Sequence, residues 1–484
     1  MKLKAYLTVY LALSLTVLLA LYMALLAGVK KNTIRMEEEL ALDTAGYSAL
    51  AEYDQELLKQ YDLFFIDTSY GGREPDIAEI GGHIKQYANK NLENTRLFES
   101  RLAFVGIQDA EVAADMGGEV LKRQIIDYEE NYFGIEALEK LFGGEGLSEA
   151  GKMEEELFKK RDENAAELSV QKPPVKTVEK VRYNEESGGM EIYEEKEEVP
   201  IEDPAAHVNE LRKKGILNLL VEDTAELSEK KVRLEEYISH RGSLLQGTGI
   251  LQEKIERHSF LEAGKEKIFL NAYVFQKYGY YGHEKENAAL DYQVEYLLGG
   301  KATDTENLKA AAGKLLMLRE AANAAYLYGD AAKRTEIAAM AASVSAVTFA
   351  PYLQPLLETS ILFAWAYIES IQDVKLLLAG GKVPLLKSAQ DWRTDLESIL
   401  NFAGTSADGE GTRGFTYQQY LWALLFFEKE EELLFSMMDV MEMDIRTTAY
   451  HENFRMDGCV SGFRIAAKFE DDSGGCSFLR TYYY

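Results

Sequence analysis

The residues best suited to metal binding or nucleophilic catalysis are few and scattered in this sequence. Structural and catalytic zinc sites need three or four Cys, His or carboxylate ligands at short spacings, and only two cysteines occur, Cys459 and Cys476. The six histidines are far apart along the chain: His83, His207, His240, His258, His283 and His451. We therefore expect neither a histidine- or cysteine-based metal site nor any other bound cofactor.

The glycine-containing motifs of nucleotide-binding and hydrolase sites are incomplete. Gly299–Lys301 and Gly380–Lys382 both lack the first glycine and the hydroxyl residue of a phosphate-binding loop. Gly404–Asp408 lacks the second glycine of a hydrolase nucleophile elbow. The lysine-containing segments are better explained as glycines that end a structural element.

Carboxylates are so abundant that their spacing alone cannot identify a catalytic acid and base. The chain has 81 Asp and Glu residues, so close pairs arise by chance. Glu369 and Asp373 lie one turn apart on a predicted helix, beside Trp365. Because buried charges are generally paired, this spacing favours a hydrogen-bonded polar cluster near the core over a catalytic pair. The sequence therefore predicts a protein that is not an enzyme.

The two cysteines allow one covalent link. Apolar and polar residues alternate over 463–470, a turn follows at Asp471–Gly475, and a second strand begins at Cys476, which predicts a C-terminal β-hairpin. A tight hairpin places Cys476 near Phe469 and away from Cys459. A disulfide between the two cysteines requires a looser loop, and both alternatives stay open.

The elements that would position a site begin with an uncharged apolar segment. Residues 5–29 carry no charge, and Lys2, Lys4, Lys30 and Lys31 flank them. A helix of this length extends about 37 Å, enough to cross a hydrocarbon core of about 30 Å. An uncleaved anchor is favoured over a cleaved signal peptide because the apolar segment is long and no good cleavage site follows it. The basic flanks are nearly balanced, and we expect a single-pass cell-membrane protein with a cytoplasmic N-terminus and the bulk of the chain extracytoplasmic.

Apolar residues continue at helical spacing beyond the anchor. From Ile34 to Tyr61 there is no proline, and the spacing of the apolar residues is typical of an amphipathic helix. Two interpretations are open. Either one long pilin-like helix runs from the membrane through about residue 61, or the chain breaks near Lys30 and a separate helix begins the next domain.

The sequence after the anchor is strongly acidic. The chain has 53 Lys and Arg residues against 81 Asp and Glu, which gives a formal charge of −28. Such a charge argues against a nucleic-acid partner, because phosphate backbones are bound by clustered basic side chains. Residues 145–204 hold 18 acidic and 9 basic side chains. Within this segment, alternating residues over Val175–Tyr183 and Met190–Tyr193 flank a glycine-containing turn at Asn184–Gly189. This pattern predicts either a β-hairpin arm or a solvated linker.

The expected fold class is α+β and mostly helical, with a helical bundle and small antiparallel β parts in a large ectodomain. Helices are predicted over 307–328, 331–346 and 355–379, whereas the aromatic segments 269–281 and 290–298 are predicted to pair as strands. The predicted parts of the chain are an anchor with its flanks (1–31), a membrane-proximal helical and β region (32–144), an acidic arm or linker (145–204) and a helix-rich main domain with a C-terminal hairpin (205–484).

Several blocks of the sequence resemble a known family. The blocks are Ala41–Asp43, Ala51–Gly71, Leu121–Gln124, Asp291–Lys301, Leu318–Asn323, Ala364–Ser370, Asp373–Lys375 and Gly381–Leu385. They are similar to an uncharacterised single-pass membrane family of Gram-positive bacteria, a domain of unknown function that is encoded with tight-adherence (Tad) pilus genes.

The resemblance implies a role like that of the TadE/TadG-like minor pseudopilins. Such a protein is a structural or assembly component of a pilus or secretion machine, and its partners are the membrane and other proteins of that machine. No glycine precedes the apolar segment and no glutamate lies within it, so an anchored accessory component is expected instead of a processed pilin. A membrane-tethered envelope enzyme and a ligand-binding sensor module are the alternatives.

Overall fold

The structure is a computed structural model that describes residues 2–72, 74–93, 99–132, 147–184, 189–199, 205–213, 215–221, 223–248, 260–348, 350–402, 413–471 and 475–484. Helices predominate, and two small antiparallel sheets accompany them. The helices are α1 (Lys2–Leu50), α2 (Gln55–Tyr61), α3 (Ala78–Glu93), α4 (Asp115–Tyr132), α5 (Leu147–Val170), α6 (Ala206–Lys213), α7 (Ile216–Leu220), α8 (Phe260–Lys277), α9 (Gln293–Gly299), α10 (Asp304–Gly329), α11 (Ala331–Val347), α12 (Gln354–Leu378), α13 (Ser398–Asn401), α14 (Tyr417–Phe427) and α15 (Glu430–Arg446). The strands are β1 (Ile66–Asp67), β2 (Ser100–Val112), β3 (Val175–Asn184), β4 (Gly189–Glu198), β5 (Cys459–Asp471) and β6 (Ser477–Tyr483).

Helix α1 is uninterrupted at Lys30, where one interpretation of the sequence placed a break. It ends at Leu50, so the prediction of a single helix through residue 61 is wrong beyond that point. A new helix starts because the Asp54 carboxylate accepts a hydrogen bond of 2.6 Å from the backbone N–H of Leu57 and thereby caps α2.

The two halves of α1 have different surroundings. The first half is long and apolar enough to be a membrane span or a signal sequence, and its most apolar stretch is entirely unburied. In the second half, Ile34, Leu42, Ala45 and Ala49 are buried against the rest of the chain. The helix is therefore one rod with a bare apolar half and a packed half.

A four-stranded antiparallel sheet receives the packed half of α1. The central strand is β5, which pairs with β2 along one edge and with β1 and β6 along the other. In the β5–β6 ladder, Phe463 lies opposite Tyr482 and Lys468 lies opposite Ser477, which is the register of the predicted hairpin. The pairing of β5 with β2 has no local signature in the sequence, and it joins the C-terminal strands to the region predicted over 32–144.

The larger hydrophobic core is helical and lies mainly among α4, α8–α12, α14 and α15. The helices predicted over 307–328, 331–346 and 355–379 are confirmed as α10, α11 and α12. Polar caps define their starts: the Thr303 side chain accepts a hydrogen bond from the N–H of Glu306 at the start of α10.

The two aromatic segments predicted as strands are helices instead. Residues 269–277 belong to α8, and residues 293–298 belong to α9. Their rings are core residues, since Tyr273 is 0% exposed and Tyr296 is 1% exposed. A helix buried on several sides loses the single apolar stripe by which a helix is recognised in a sequence, while its aromatic content resembles that of a strand.

The acidic segment contains a helix, α5, and an antiparallel hairpin. Strands β3 and β4 pair from Val175 opposite Glu198 to Asn184 opposite Gly189. The turn residues 185–188 lie outside the described residues. Val181 and Ile192 are paired across the ladder and are 61% and 68% exposed, so the hairpin is a solvated arm and not a core element.

Candidate functional site

The two cysteines lie far apart on the sheet. Cys459 is the first residue of β5, whereas the carbonyl oxygen of Cys476 accepts a hydrogen bond of 2.8 Å from the N–H of Phe469, at the opposite end of the strand. The strand between Cys459 and Phe469 extends about 33 Å, and a disulfide needs Cα atoms within about 7 Å. Neither cysteine forms a disulfide. Burial raises the pKa of the Cys459 thiol well above its ordinary value, which makes this thiol unreactive.

Glu369 and Asp373 lie at the centre of a buried charge cluster between α10 and α12. Lys387 pairs with Glu369, and its Nζ lies 2.6 Å from Asp373 Oδ1. Arg319 Nε donates to Asp373 Oδ2 at 3.0 Å. All four side chains are fully buried, and the pairing with Arg319 and Lys387 outweighs burial and holds the pKa of Asp373 below its ordinary value.

Neighbouring groups complete the hydrogen bonds of this cluster. Glu369 accepts hydrogen bonds from the Thr394 N–H at 2.9 Å and the Thr394 hydroxyl at 2.7 Å, and Trp365 Nε1 donates to Thr394 Oγ1 at 3.0 Å. The prediction of a hydrogen-bonded polar cluster at this position is therefore confirmed. Within the described residues, no group of three or more His, Cys, Asp or Glu side chains is arranged to hold a metal ion.

The junction between α1 and the sheet is built from side chains of β6 and the residue that follows it. The Tyr482 hydroxyl donates to Asp43 Oδ1 at 3.0 Å and also lies 3.3 Å from the Leu42 carbonyl oxygen. Arg480 forms ion pairs with Glu39 and Asp43. The Tyr484 hydroxyl donates to the carbonyl oxygen of Leu50, the last residue of α1. The strand therefore holds the packed half of α1 along several turns.

Gly46 permits the close approach of α1 to the sheet, and its substitution tests the junction. A Cβ atom at this position would lie less than 3.0 Å from three ring carbons of Tyr482, whose side chain is buried. We expect Gly46→Ala to lower the free energy of unfolding by roughly 1–3 kcal/mol through overpacking, although alanine is the better helix former.

Gly82→Ala in α3 is the matched control, because its Cβ would meet no atom closer than 3.9 Å. This variant is expected to gain roughly 0.5–1 kcal/mol from helix propensity. Thermal and urea unfolding of the detergent-purified chains measure both effects. Gly46→Ala with unchanged or increased stability would contradict the close packing of the junction.

A cavity of about 520 Å³ opens between α5, α6 and α12. Two arginines from different helices line it, Arg161 on α5 and Arg212 on α6. Both donate to the same atom, Oε1 of the buried Glu320 on α10, at 3.4 Å and 2.5 Å respectively. The Arg212 guanidinium also lies 4.2 Å from the centre of the Tyr367 ring. Among the described residues, this cavity combines an open volume with two cationic side chains, and it is therefore a candidate ligand site.

Sequence reasoning did not identify this cavity. Arg161 lies in a charged helix that resembles a solvated surface, and nothing near Arg212 or Glu320 in the sequence links the three residues. Their proximity depends on the packing of three helices that are distant in the chain.

The comparison with protein families is informative for the main domain. A sequence model of DUF5702, a family of unknown function, matches residues 194–471, more than half of the chain. The chain belongs to this family. No curated protein and no solved structure matches it. The matched DUF5702 region contains the Arg319 cluster, Arg212 and Glu320, whereas α1 and Arg161 lie before it.

Proposed function

We propose that this protein is a membrane-anchored, extracytoplasmic structural or assembly component of a tight-adherence-type pilus or a related secretion machine. The observation that carries the proposal is the division of α1 into a bare apolar half and a packed half within one unbroken helix. In this arrangement the anchor and the sheet share one rigid element. A component of an assembled machine needs this coupling, because its domain must keep a fixed position relative to the membrane.

The dimensions of α1 fit this role. Its 49 residues extend roughly 73 Å at 1.5 Å per residue, of which a hydrocarbon core takes about 30 Å. The remainder is long enough to hold the four-stranded sheet. A helix that is apolar at its N-terminal half and packed on an antiparallel sheet at its C-terminal half is the arrangement expected of a pilin-like component.

An exposed apolar stripe supports contact with another protein above the membrane. Met36, Leu40 and Tyr47 are 67%, 66% and 65% exposed, and their spacing places them on one face of α1. The stripe follows directly on the bare half of the helix. A partner protein anchored in the same membrane could cover both the stripe and the bare half of α1 with one apolar helix.

Recovery of partners from membranes tests the proposal. The full chain, tagged after Tyr484 and expressed in its own host, would be extracted with mild detergent after brief crosslinking, and co-purifying proteins would be quantified by mass spectrometry. We expect enrichment of pilus or secretion-machine components, and we expect Leu40→Glu to reduce their recovery at least about fivefold because it places a charge in an apolar contact.

Val170→Glu is the matched control, because Val170 on α5 is 78% exposed and lies outside the stripe. This variant should recover partners as the wild type does. Absence of machine components from the wild-type sample, or equal losses for both variants, would overturn the assembly role. Proteolysis of intact protoplasts reports the orientation, and protection of residues 32–484 from added protease would contradict an extracytoplasmic domain.

A further inference from the structure

We propose that the cavity between α5, α6 and α12 binds a small organic monocarboxylate, with Arg161 and Arg212 contacting its carboxylate and the apolar wall contacting its carbon body. This inference is independent of the assembly role, since it concerns a cavity lined by α5, α6 and α12 and not α1.

The size and lining of the cavity suit a small ligand. Its volume of about 520 Å³ falls within the range of roughly 300–1,000 Å³ that is usual for small-molecule sites. Leu168 and Phe363 contribute apolar surface, while Ser169 and Asn209 contribute polar groups beside the two arginines. A mixed lining of this kind favours a molecule with one polar end and one apolar end.

The two guanidinium groups are held close together by Glu320. Both bond to Glu320 Oε1, and Glu320 itself is only 2% exposed and lies behind them. A guanidinium has five N–H donors. Arg212 donates a hydrogen bond to Glu320, and its side chain lines the cavity and is 26% exposed. Two planar donor groups from different helices are thereby fixed at one wall, an arrangement that matches the two oxygens of a carboxylate.

The charge of the wall selects a monoanion. One arginine would be sufficient to neutralise Glu320, and Asp162, which also lines the cavity, formally balances the second. Asp162, which lies 3.0 Å from Arg161 Nε, is 69% exposed and is therefore largely screened by water. The screening of Asp162 leaves the wall weakly cationic, which is better matched by a single carboxylate than by a doubly charged phosphate.

Calorimetric titration of the full-length protein in detergent tests the assignment. The probes are benzoate and hexanoate, with benzamide as the neutral isostere, phenyl phosphate as the dianion and inorganic phosphate as the ion without an apolar body. We expect benzoate and hexanoate to bind, and benzamide to bind at least about tenfold more weakly because it lacks charge-assisted hydrogen bonds. Equal binding of benzamide, tighter binding of either phosphate probe, or no binding of any carboxylate would overturn the proposal.

Variants locate the binding in this cavity. Arg212→Gln is expected to weaken benzoate binding at least about tenfold, and Arg233→Gln, at a residue 84% exposed elsewhere on the domain, should leave it unchanged.

Asn209→Trp fills the cavity without altering its charge and should also abolish binding, whereas His207→Trp on the same helix, at a residue outside the cavity lining, should not. Wild-type affinity in Asn209→Trp or in Arg212→Gln would place the binding elsewhere and refute the assignment. Thermal midpoints measured in parallel identify any variant that fails to fold, and Asn209→Trp then decides the matter because it removes no buried ion pair.

Discussion

Replacement of Arg319 by methionine is expected to lower the free energy of unfolding by about 3–5 kcal/mol, the usual effect of breaking a buried ion pair. Arg319 is fully buried and bonds to Asp373 as well as to the carbonyl oxygens of Pro384 and Leu385 at 3.0 Å and 2.9 Å. Without it, Lys387 is, among the described residues, the one cation paired with the two buried carboxylates. Two backbone acceptors also lose their donor, and each unsatisfied buried group is destabilising on its own.

A second substitution within the same cluster is expected to restore part of the lost stability. The double variant Arg319→Met, Asp373→Asn restores charge balance, since Lys387 then faces Glu369 alone, and it should recover roughly 1–3 kcal/mol of the loss. Lys429→Met is the control, because its ion pair with Glu432 is highly exposed and should contribute less than about 1 kcal/mol. Urea unfolding, followed by tryptophan fluorescence, measures the free energy of unfolding of all three variants. A loss below about 1 kcal/mol for Arg319→Met would show that the cluster is not a stabilising network.

Replacement of Glu295 by glutamine is expected to flatten the dependence of stability on pH. Glu295 is fully buried, and burial raises its pKa from 4.5 to about 7, although hydrogen bonds from the Tyr417 hydroxyl and the Tyr281 N–H act in the opposite direction. Those bonds go to Oε1, at 2.7 Å and 3.0 Å, and among the described residues Oε2 has no hydrogen-bond partner. The folded protein therefore favours the neutral acid.

The direction of the effect depends on the pH at which the folded and the unfolded chain each release the Glu295 proton. The unfolded chain releases the Glu295 proton near pH 4.5 and the folded chain near pH 7, so between these values the folded state binds more protons. Its stability therefore falls as pH rises through this interval, and the contribution is lost above the folded pKa. Between pH 5.5 and pH 8.5 the wild type should lose about 2 kcal/mol from this group, and Glu295→Gln should not.

Unfolding at the two pH values, with wild type and variant compared at each, isolates this contribution from that of other groups. Glu336→Gln, at a side chain 51% exposed on α11, is the control and should follow the wild type at both values. Parallel pH profiles for Glu295→Gln and the wild type would show that the buried carboxylate does not titrate in this range.

The sequence was most informative where local chemistry determines structure. The uncharged residues 5–29 are helical in the structure from Ala5 onward, and α10, α11 and α12 lie within a few residues of their predicted bounds because caps and a terminal glycine mark their ends. The Gly380 backbone has a φ of 85° and ends the segment after α12. The C-terminal hairpin register also followed from its turn alone.

The sequence was least informative where structure depends on distant partners. Aromatic residues such as Tyr273 resembled strand residues because a helix surrounded by core has no polar face to reveal its period. The carboxylate of Glu320 gave no sign that it would hold Arg161 and Arg212, because all three are ordinary charged helix residues in sequence. Spacing predicts contacts within a helix, and only tertiary packing determines contacts between helices.

Because β5 is the central strand and lies near the end of the chain, the sheet can form only late in synthesis. Ser100 of β2 pairs with Asp471 of β5, so the sheet beside α1 has to wait for nearly the whole chain to be made. At ordinary translation rates that delay is roughly 20–70 s. Throughout it, Leu42 lacks the C-terminal strands that finally cover it. A half-made chain with an open strand edge is prone to pair with another copy, so β2 presents an aggregation-prone edge until β5 is made.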